Sequence, residues 1–318
     1  MNIEIAEIFY KIADILELKD ERWKPQAYRV AAQTLESLKE DVLDIYLKES
    51  KRGLEKLPGI GGGLAKKIVQ YIENESIEEY EKLKKSVPSG ILEMMDIPGV
   101  GVKKARLFYS LGIKSIKELK KAALQKKLRN LLGFKEKSEE KILEGISMSE
   151  KKKERIPLLA AGQIANKIVK ELENLKEVEK IVVAGSIRRK KPTIGDIDIV
   201  VLTSKPEIVA GKFVKISFVK EVLGKGKEKA TIISKEGMQV DLRFFSKENF
   251  GSGLLYFTGD KQHNIWLRKI AIKKRWKLNE YGLFQGKKRI AGKNEEEIYE
   301  KLGLRMPKPE NRIGETPE

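Results

Sequence analysis

Three aspartates carry the chemistry open to this chain. Asp196 and Asp198 lie in G-D-I-D at 195–198, and Asp241 lies in M-Q-V-D-L-R-F-F at 238–245. Ile197, Ile199 and Val201 alternate with the first two carboxylates, a pattern that predicts a strand. Strand residues two apart leave the same face, one pleat apart. Val240, Leu242 and Phe244 alternate with Gln239, Asp241 and Arg243 in the same way. Side by side, two such strands would bring three carboxylates into one small volume, where they must shift their pKa values or take up a cation. With no cysteine and a single histidine in the chain, oxygen ligation of a hard divalent ion is expected. Mg²⁺ is the first choice and Mn²⁺ the alternative. Two such ions roughly 3.5–4 Å apart can activate an attacking hydroxyl and stabilise a leaving oxygen, so metal-assisted phosphoryl transfer is the expected chemistry.

Gly185-Ser186 follows the apolar run 181–184 and so sits at a strand-to-turn junction. Glycine lets backbone approach a phosphate closely, and Ser186 supplies an amide and a hydroxyl as donors. Arg188, Arg189, Lys190 and Lys191 add four positive charges within reach of a polyphosphate.

The elements that must position and serve this site begin with an internal repeat. Residues 57–61 read L-P-G-I-G and residues 97–101 read I-P-G-V-G, each running into a helical pattern with lysines. Each looks like a helix-hairpin-helix, in which a tight turn aims helix N-terminal amides outward as a sequence-independent phosphate seat. Upstream, Ile5, Ile8, Ile12 and Ile15 predict one helix, and Ala27, Val30, Ala31 and Leu35 a second after Pro25. Pro88-Ser89-Gly90 and Lys151-Lys152-Lys153 read as boundaries, and Gly251-Ser252-Gly253 as a glycine-rich step opening a last unit. From about 158 to 248 the pattern is α/β. Beyond Pro307 the tail lacks apolar periodicity and is expected to be extended or disordered.

The chain has 318 residues, enough for more than one core. Its 65 basic residues outnumber 47 acidic ones, for a net charge of +18, which suits a polyanion partner. The absence of cysteine excludes disulfides and zinc–cysteine sites. The start shows no signal-peptide pattern, and no apolar stretch approaches the ~20 residues of a membrane span. A cytoplasmic, nucleoid-associated monomer is expected, with no membrane partner.

Taken in order, these parts resemble the family X DNA polymerases, from about residue 3 to about residue 305. The resemblance rests on W-K-P-Q-A-Y-R at 23–29, both hairpins, R-I-P at 155–157, G-S-x-x-R at 185–189, G-D-I-D, V-D-L-R at 240–243 and G-L-L-Y-F-T-G-D-K-Q-H-N at 253–264. It implies a multidomain α+β fold: an N-terminal 5′-phosphate or lyase-like helical domain (1–85), a DNA-binding subdomain (86–150), a nucleotidyltransferase palm with a mixed or antiparallel sheet (151–248), and a C-terminal α/β subdomain for the nascent base pair with the tail (249–318). The implied activity is template-directed addition of dNTPs to a primer 3′-hydroxyl in gapped or nicked duplex DNA, as in base excision repair.

By the same resemblance, Asp196 and Asp198 would hold two metal ions, while Asp241 would bind the catalytic one and help accept the hydroxyl proton. Arg155, Gly185, Ser186, Arg189 and Gly195 would hold the triphosphate. Tyr256, Phe257 and Gly259 match the sugar-discriminating segment, and Asn264 would read the minor-groove edge of the incoming base. DNA contacts are expected from Lys24, Tyr28, Gly59, Gly61, Gly63 and Lys67, from Gly99, Gly101 and Lys103, and from Arg243 and Arg268. A monovalent cation is expected at the hairpins.

Lys67 matches a lysine that attacks 5′-deoxyribose phosphate as a Schiff-base nucleophile, and Lys66 beside it favours the free amine. Trp23 and Gly63 depart from the family's histidine and lysine in that pocket, so phosphate binding is expected and lyase activity stays open. Lys261 replaces an acidic residue beside the nascent base. His263 reads as a solvated helix residue. Many bacterial and archaeal relatives carry a histidine-rich C-terminal phosphoesterase domain; with one histidine and an end at 318, that nuclease activity is expected to be absent. The rival functions are a template-independent terminal nucleotidyltransferase, against which the hairpins and Y-F-T-G argue, and a non-catalytic DNA end-binding module, against which the three aspartates argue.

Overall fold

The computed structural model describes residues 1–131, 134–151 and 155–315. Two compact units, residues 1–153 and 154–318, each build their own apolar cores. Lys152 and Lys153, on which one expected boundary falls, lie outside the described residues, as do residues 316–318 of the tail.

The first unit is helical: α1 (Asn2–Leu18), α2 (Lys24–Ser37), α3 (Val42–Glu55), α4 (Gly62–Asn74), α5 (Glu78–Lys85), α6 (Ser89–Met95), α7 (Val102–Ser110), α8 (Ile116–Leu124) and α9 (Glu136–Lys151). The α1 residues Ile5, Phe9, Ile12 and Leu16 recur at helical spacing and are buried. The core face of α2 is Tyr28, Ala31, Ala32 and Leu35. Ala27 and Val30, expected on that face, are exposed instead. The Tyr28 ring packs edge-on against Phe9, with centroids 5.3 Å apart.

The sequence repeat is a structural repeat. Gly59 and Gly99 take positive φ, +72° and +85°. Gly61 and Gly101 follow as extended N-caps of α4 and α7, with φ/ψ of −83°/175° and −87°/179°. The Ile60 and Val100 amides donate to Leu57 and Ile97 at 3.1 and 3.0 Å. Between the repeats the packing does not break. Leu18 of α1 packs against the core that carries Ile97 and Phe108. Arg106 of α7 holds Asp20 through two bonds of 2.6 and 2.8 Å. Residues on both sides of the division expected near 85 lie in one compact unit.

The second unit contains β1 (Ile156–Pro157), α10 (Leu158–Leu172), β2 (Lys180–Val183), α11 (Gly185–Arg188), β3 (Thr193–Ile194), β4 (Asp196–Leu202), α12 (Pro206–Phe213), β5 (Val219–Lys225), β6 (Lys229–Ser234), β7 (Gln239–Phe245), α13 (Phe250–Thr258), α14 (Lys261–Lys273), β8 (Trp276–Asn279), β9 (Gly282–Gln285), β10 (Lys288–Ala291) and α15 (Glu295–Leu302). Its main sheet runs β2-β4-β7-β6-β5; β4 and β7 are parallel and the other pairs antiparallel. Ile197, Ile199, Val201, Val240 and Leu242 share one core with α10 and α12. On the alternate positions Val200 and Phe245 join α13 in a second cluster. A separate antiparallel meander, β8-β9-β10, packs with α14 and α15.

The glycine-rich step at 251–253 forms the first turn of α13, where Gly251 and Gly253 sit at close approaches. An added Cβ would sit 2.2 Å from the Asn294 backbone at Gly251 and 2.5 Å from the Phe245 ring at Gly253. The described part of the tail has no helix or strand over residues 304–308, and beyond them it packs against the second unit. Residues 309–311 form a short 3₁₀ turn, and the Arg312 side chain is 0% exposed, held by Glu295. This buried ion pair, which apolar periodicity does not register, is one of the contacts that anchor the segment. Among the described residues no helix is long and apolar enough to cross a membrane.

Candidate active site

Asp196 and Asp198 lie on β4 and Asp241 on β7, and Asp198 and Asp241 are direct partners across the parallel pair. All three take strand positions opposite the apolar core, as the alternation requires. Burial first, then the charges of Asp196 and Asp241, push the Asp198 carboxyl up to about 7, with Arg243 and Arg189 opposing. A carboxyl raised by its own neighbours marks a shortage of positive charge that a divalent cation would relieve. The donor set is three hard carboxylates and fits Mg²⁺. It is juxtaposed rather than closed, since no three acidic or histidine side chains among the described residues already surround one metal position. Asp241 is held to one side: Oδ1 accepts from the Thr231 hydroxyl at 2.6 Å, with Lys229 Nζ 3.7 Å away, and Oδ2 lies 3.8 Å from Arg243.

Gly185 caps this arrangement. Its φ is +57°, and an added Cβ would lie 2.3 Å from Asp198 Oδ2. The expected turn is the single helical turn α11, which presents Ser186 with a buried hydroxyl that has no hydrogen-bond partner. A buried unpaired donor costs stability and is well placed for a ligand oxygen. Arg189 donates to the Thr258 carbonyl, and its buried Nε is also unpartnered. Burial lowers the pKa of this guanidinium, with Asp260, Asp198 and Asp196 opposing.

The four basic residues of this turn are not equivalent. Arg188 bonds Glu295 at 2.9 and 2.6 Å and the Thr258 hydroxyl at 2.6 Å. Lys190 pairs with Glu310 at 3.0 Å. Two charges expected to face a polyphosphate are thus engaged in internal ion pairs. Arg155 is tied to Thr193, and its Nη1 would lie 2.8 Å from a Cβ added at Gly195.

Tyr256 and Phe257 close α13, and Gly259 follows with φ +66°. Arg243 stacks over Phe257, 4.4 Å from its centroid. The Asn264 amide donates to the Tyr256 carbonyl at 2.7 Å, so its contact is internal here. Tyr256, Asn264 and Arg268 line one small cavity with Asn279. His263 is fully buried rather than solvated. Its Nδ1 donates to the Gly314 carbonyl at 3.1 Å, which leaves Nε2 to accept from the Tyr299 hydroxyl at 2.8 Å.

In the first unit Lys103 is exposed on the first turn of α7, beside Gly99 and Gly101. Lys24 is exposed at the start of α2, next to Trp23, which is 86% exposed. Tyr28 is buried, so its ring belongs to the core. Lys67 is not an open amine: Glu79 lies 2.9 Å from its Nζ. Gly63, one turn upstream, has nothing within 4 Å of an added Cβ. Thr231, Glu79 and Glu295 escaped sequence reading because each acts on a partner from another element; only Thr231 left a signal, the hairpin register that sets it opposite Asp241.

The comparisons with known proteins agree with these elements. A DNA polymerase beta palm model matches residues 155–272 and a DNA polymerase beta thumb model residues 253–313. A helix-hairpin-helix domain model matches residues 1–77, and a SAM-like helix-hairpin-helix tandem model residues 91–147. The chain belongs to the family X DNA polymerases. Among its relatives is the DNA polymerase/3′-5′ exonuclease PolX of Bacillus subtilis (strain 168), 34% identical over 315 residues, covering 97% of this chain and 54% of that protein. DNA polymerase lambda of Rattus norvegicus is 23% identical over 344 residues, covering 98% of this chain and 56% of that protein. DNA polymerase lambda of Arabidopsis thaliana is 23% identical over 347 residues, covering 98% and 62%. The chain therefore spans little more than half the length of the first of these relatives.

Proposed function

We propose that this protein is a template-directed DNA polymerase that fills short gaps in duplex DNA during repair, joining dNTPs to a primer 3′-hydroxyl as a cytoplasmic monomer on the nucleoid. The observation that carries the reading is the direct pairing of Asp198 with Asp241 beside the Gly185–Arg189 turn. Asp196, Asp198 and Asp241 would hold two Mg²⁺ ions, or Mn²⁺ in their place. Once bound, such ions lower the pKa of an attacking hydroxyl and neutralise the leaving oxygen.

The protein's own groups do the rest. Asp241 is positioned by Thr231 to accept the proton of the primer hydroxyl. The unpartnered Ser186 hydroxyl and Arg189 Nε are donors for phosphate oxygens, and Arg155, beside Gly195, adds charge. Donors fixed before the substrate arrives stabilise charge that builds on the pyrophosphate. Tyr256, Phe257 and Gly259 form the wall against a sugar 2′-hydroxyl. Asn264 would exchange its bond to the Tyr256 carbonyl for the base edge, and Arg268 would meet the template. Arg243, stacked on Phe257, would contact the DNA.

The repeated hairpins, with Gly59, Gly61, Gly63, Gly99, Gly101 and Lys103, would seat phosphates through helix N-terminal amides, aided by a monovalent cation. Lyase chemistry is left out of this reading, because Glu79 lies 2.9 Å from Lys67 Nζ, and a Schiff-base nucleophile needs an amine that is open to attack.

The test is single-nucleotide extension on a one-nucleotide gap, compared with a single-stranded primer, using dNTPs and rNTPs. Template-matched dNTP addition confined to the gap is expected. Untemplated addition to single strands would favour the terminal nucleotidyltransferase instead.

A further inference from the structure

Unmatched positive charge in the first unit collects on α8. Between Asp96 and Glu136 the chain has 11 Lys and Arg residues against one acid, Glu118. That acid answers no lysine: its carboxylate accepts from the Lys114 amide at 2.6 Å, and its own amide donates to the Ser115 hydroxyl that caps α8. Arg106 is engaged by Asp20, and Arg129 by Glu136 and Glu139. On other helices of the unit exposed lysines are matched, Lys51 by Glu55, Lys82 by Glu78 and Lys84 by Glu81, at 3.0, 2.5 and 3.5 Å. Lys114, Lys117, Lys121, Lys126 and Lys127 are exposed, and among the described residues none has an acid in ion-pair range.

Their placement follows from the helix. Leu119, Ala122 and Ala123 face the core, which leaves Lys117 and Lys121, four apart, one above the other on the solvent side. Like charges at that spacing weaken a helix, so the fold gains nothing from the pair. Lys126 follows the helix in the left-handed region, with φ +57°. Its amide and that of Lys127 close on the Ala123 and Ala122 carbonyls at 2.9 and 3.0 Å. Glycine is the residue such a C-terminal turn favours, and a lysine there carries backbone strain.

The row also has a direction. Lys114 lies beside the start of α6, where its carbonyl packs against Gly90, and α6 runs from there to the second hairpin. At the other end Leu128 shares a core with Phe134, whose ring lies 5.4 Å from the ammonium of Lys104 on the hairpin helix α7. The lysines thus lead away from the second hairpin along the length of α6. At 1.5 Å per residue α8 is about 13 Å long, which matches about four base pairs of duplex.

We propose that the lysine face of α8 is a second DNA contact, which holds the sugar-phosphate backbone of the duplex arm beyond the part seated on the hairpins. Ammonium groups without carboxylates attract a polyanion whatever its sequence, and the continuity with the hairpin selects DNA over an acidic protein. The inference rests on the DNA-binding reading above and adds to it where the protein senses the length of the duplex.

The test is fluorescence anisotropy on one-nucleotide gapped duplexes with arms of about 6 or about 20 base pairs, across a series of salt concentrations. The wild type is expected to bind the longer arms about tenfold more tightly, with the steeper salt dependence. Lys117→Gln with Lys121→Gln is expected to remove most of that gain and to lower the long-arm salt slope by about two, leaving short-arm affinity unchanged. Lys212→Gln with Lys215→Gln removes the same charge from the second unit and is expected to keep the gain. Lys126→Gly is expected to raise the thermal unfolding midpoint while weakening long-arm binding, a combination that a damaged fold does not give. A gain that survives in the α8 double variant or in Lys126→Gly, or that falls equally in the second-unit control, overturns the α8 contact alone. A wild type indifferent to arm length does the same and leaves the face to an acidic protein. Failure of every form to bind either duplex overturns the DNA-binding reading and this inference with it.

Discussion

Asp198 and Asp241 face one another as partners on adjacent parallel strands, and the Thr231 hydroxyl holds Asp241 from the strand on its other side. One sheet thus sets both the distance between the two carboxylates and the orientation of one of them. In the proposed mechanism β6, through Thr231, serves the carboxylates as much as the two strands that carry them.

Replacing Thr231 with Val keeps the shape and removes the donor. The buried carboxylate then loses its 2.6 Å partner and can turn. Incorporation on a gapped primer is expected to slow about tenfold in kcat, with Thr231→Ser recovering most of the loss. Equal rates in wild type and Thr231→Val would remove the positioning role.

The tail is fastened through Glu295, which takes Arg312 on one side and Arg188 of α11 on the other. Burial opposes ionisation of this carboxyl, but the two arginines outweigh it and hold its pKa below the ordinary value of 4.5. Its contribution to stability is therefore complete above the ordinary carboxyl range and is lost as pH falls through the folded-state value. Thermal unfolding at stepped pH is expected to show an acid-side decline for the wild type that is smaller in Glu295→Gln. Replacing Arg312 with Met leaves Glu295 half-paired and is expected to destabilise the second unit by about 3–5 kcal/mol.

Gly251 sits where a side chain has no room, against the Asn294 backbone at the N-cap of α15. Backbone cannot swing aside as a flexible side chain can. Gly251→Ala is expected to cost about 1–3 kcal/mol in a denaturant melt, while Gly237→Ala, with open space around it, tests only the strain of its positive φ.

Much of this was legible beforehand where the signal is periodic or repeated. Period-two alternation around Asp196, Asp198 and Asp241 fixed their faces, and the 40-residue echo of P-x-x-G spacing fixed two turns with matching dihedrals. Strand direction was not legible, since alternation is the same for parallel and antiparallel neighbours. That the glycines at 251–253 sit inside a helix was not legible, because close packing uses the same residue as a turn. The packing of the tail was not legible either, because its buried arginine takes a partner 17 residues upstream. Glu79 was invisible because its meaning depends on Lys67, on another helix.

The most direct measurement is single-turnover dNTP incorporation on a one-nucleotide gap by Asp241→Asn, with gapped-DNA affinity measured in parallel. The amide keeps the shape and the Thr231 contact but can neither balance a divalent charge nor accept the hydroxyl proton. Incorporation is expected to vanish while binding persists. A variant that extends the primer at the wild-type rate would contradict a catalytic centre built on β4 and β7.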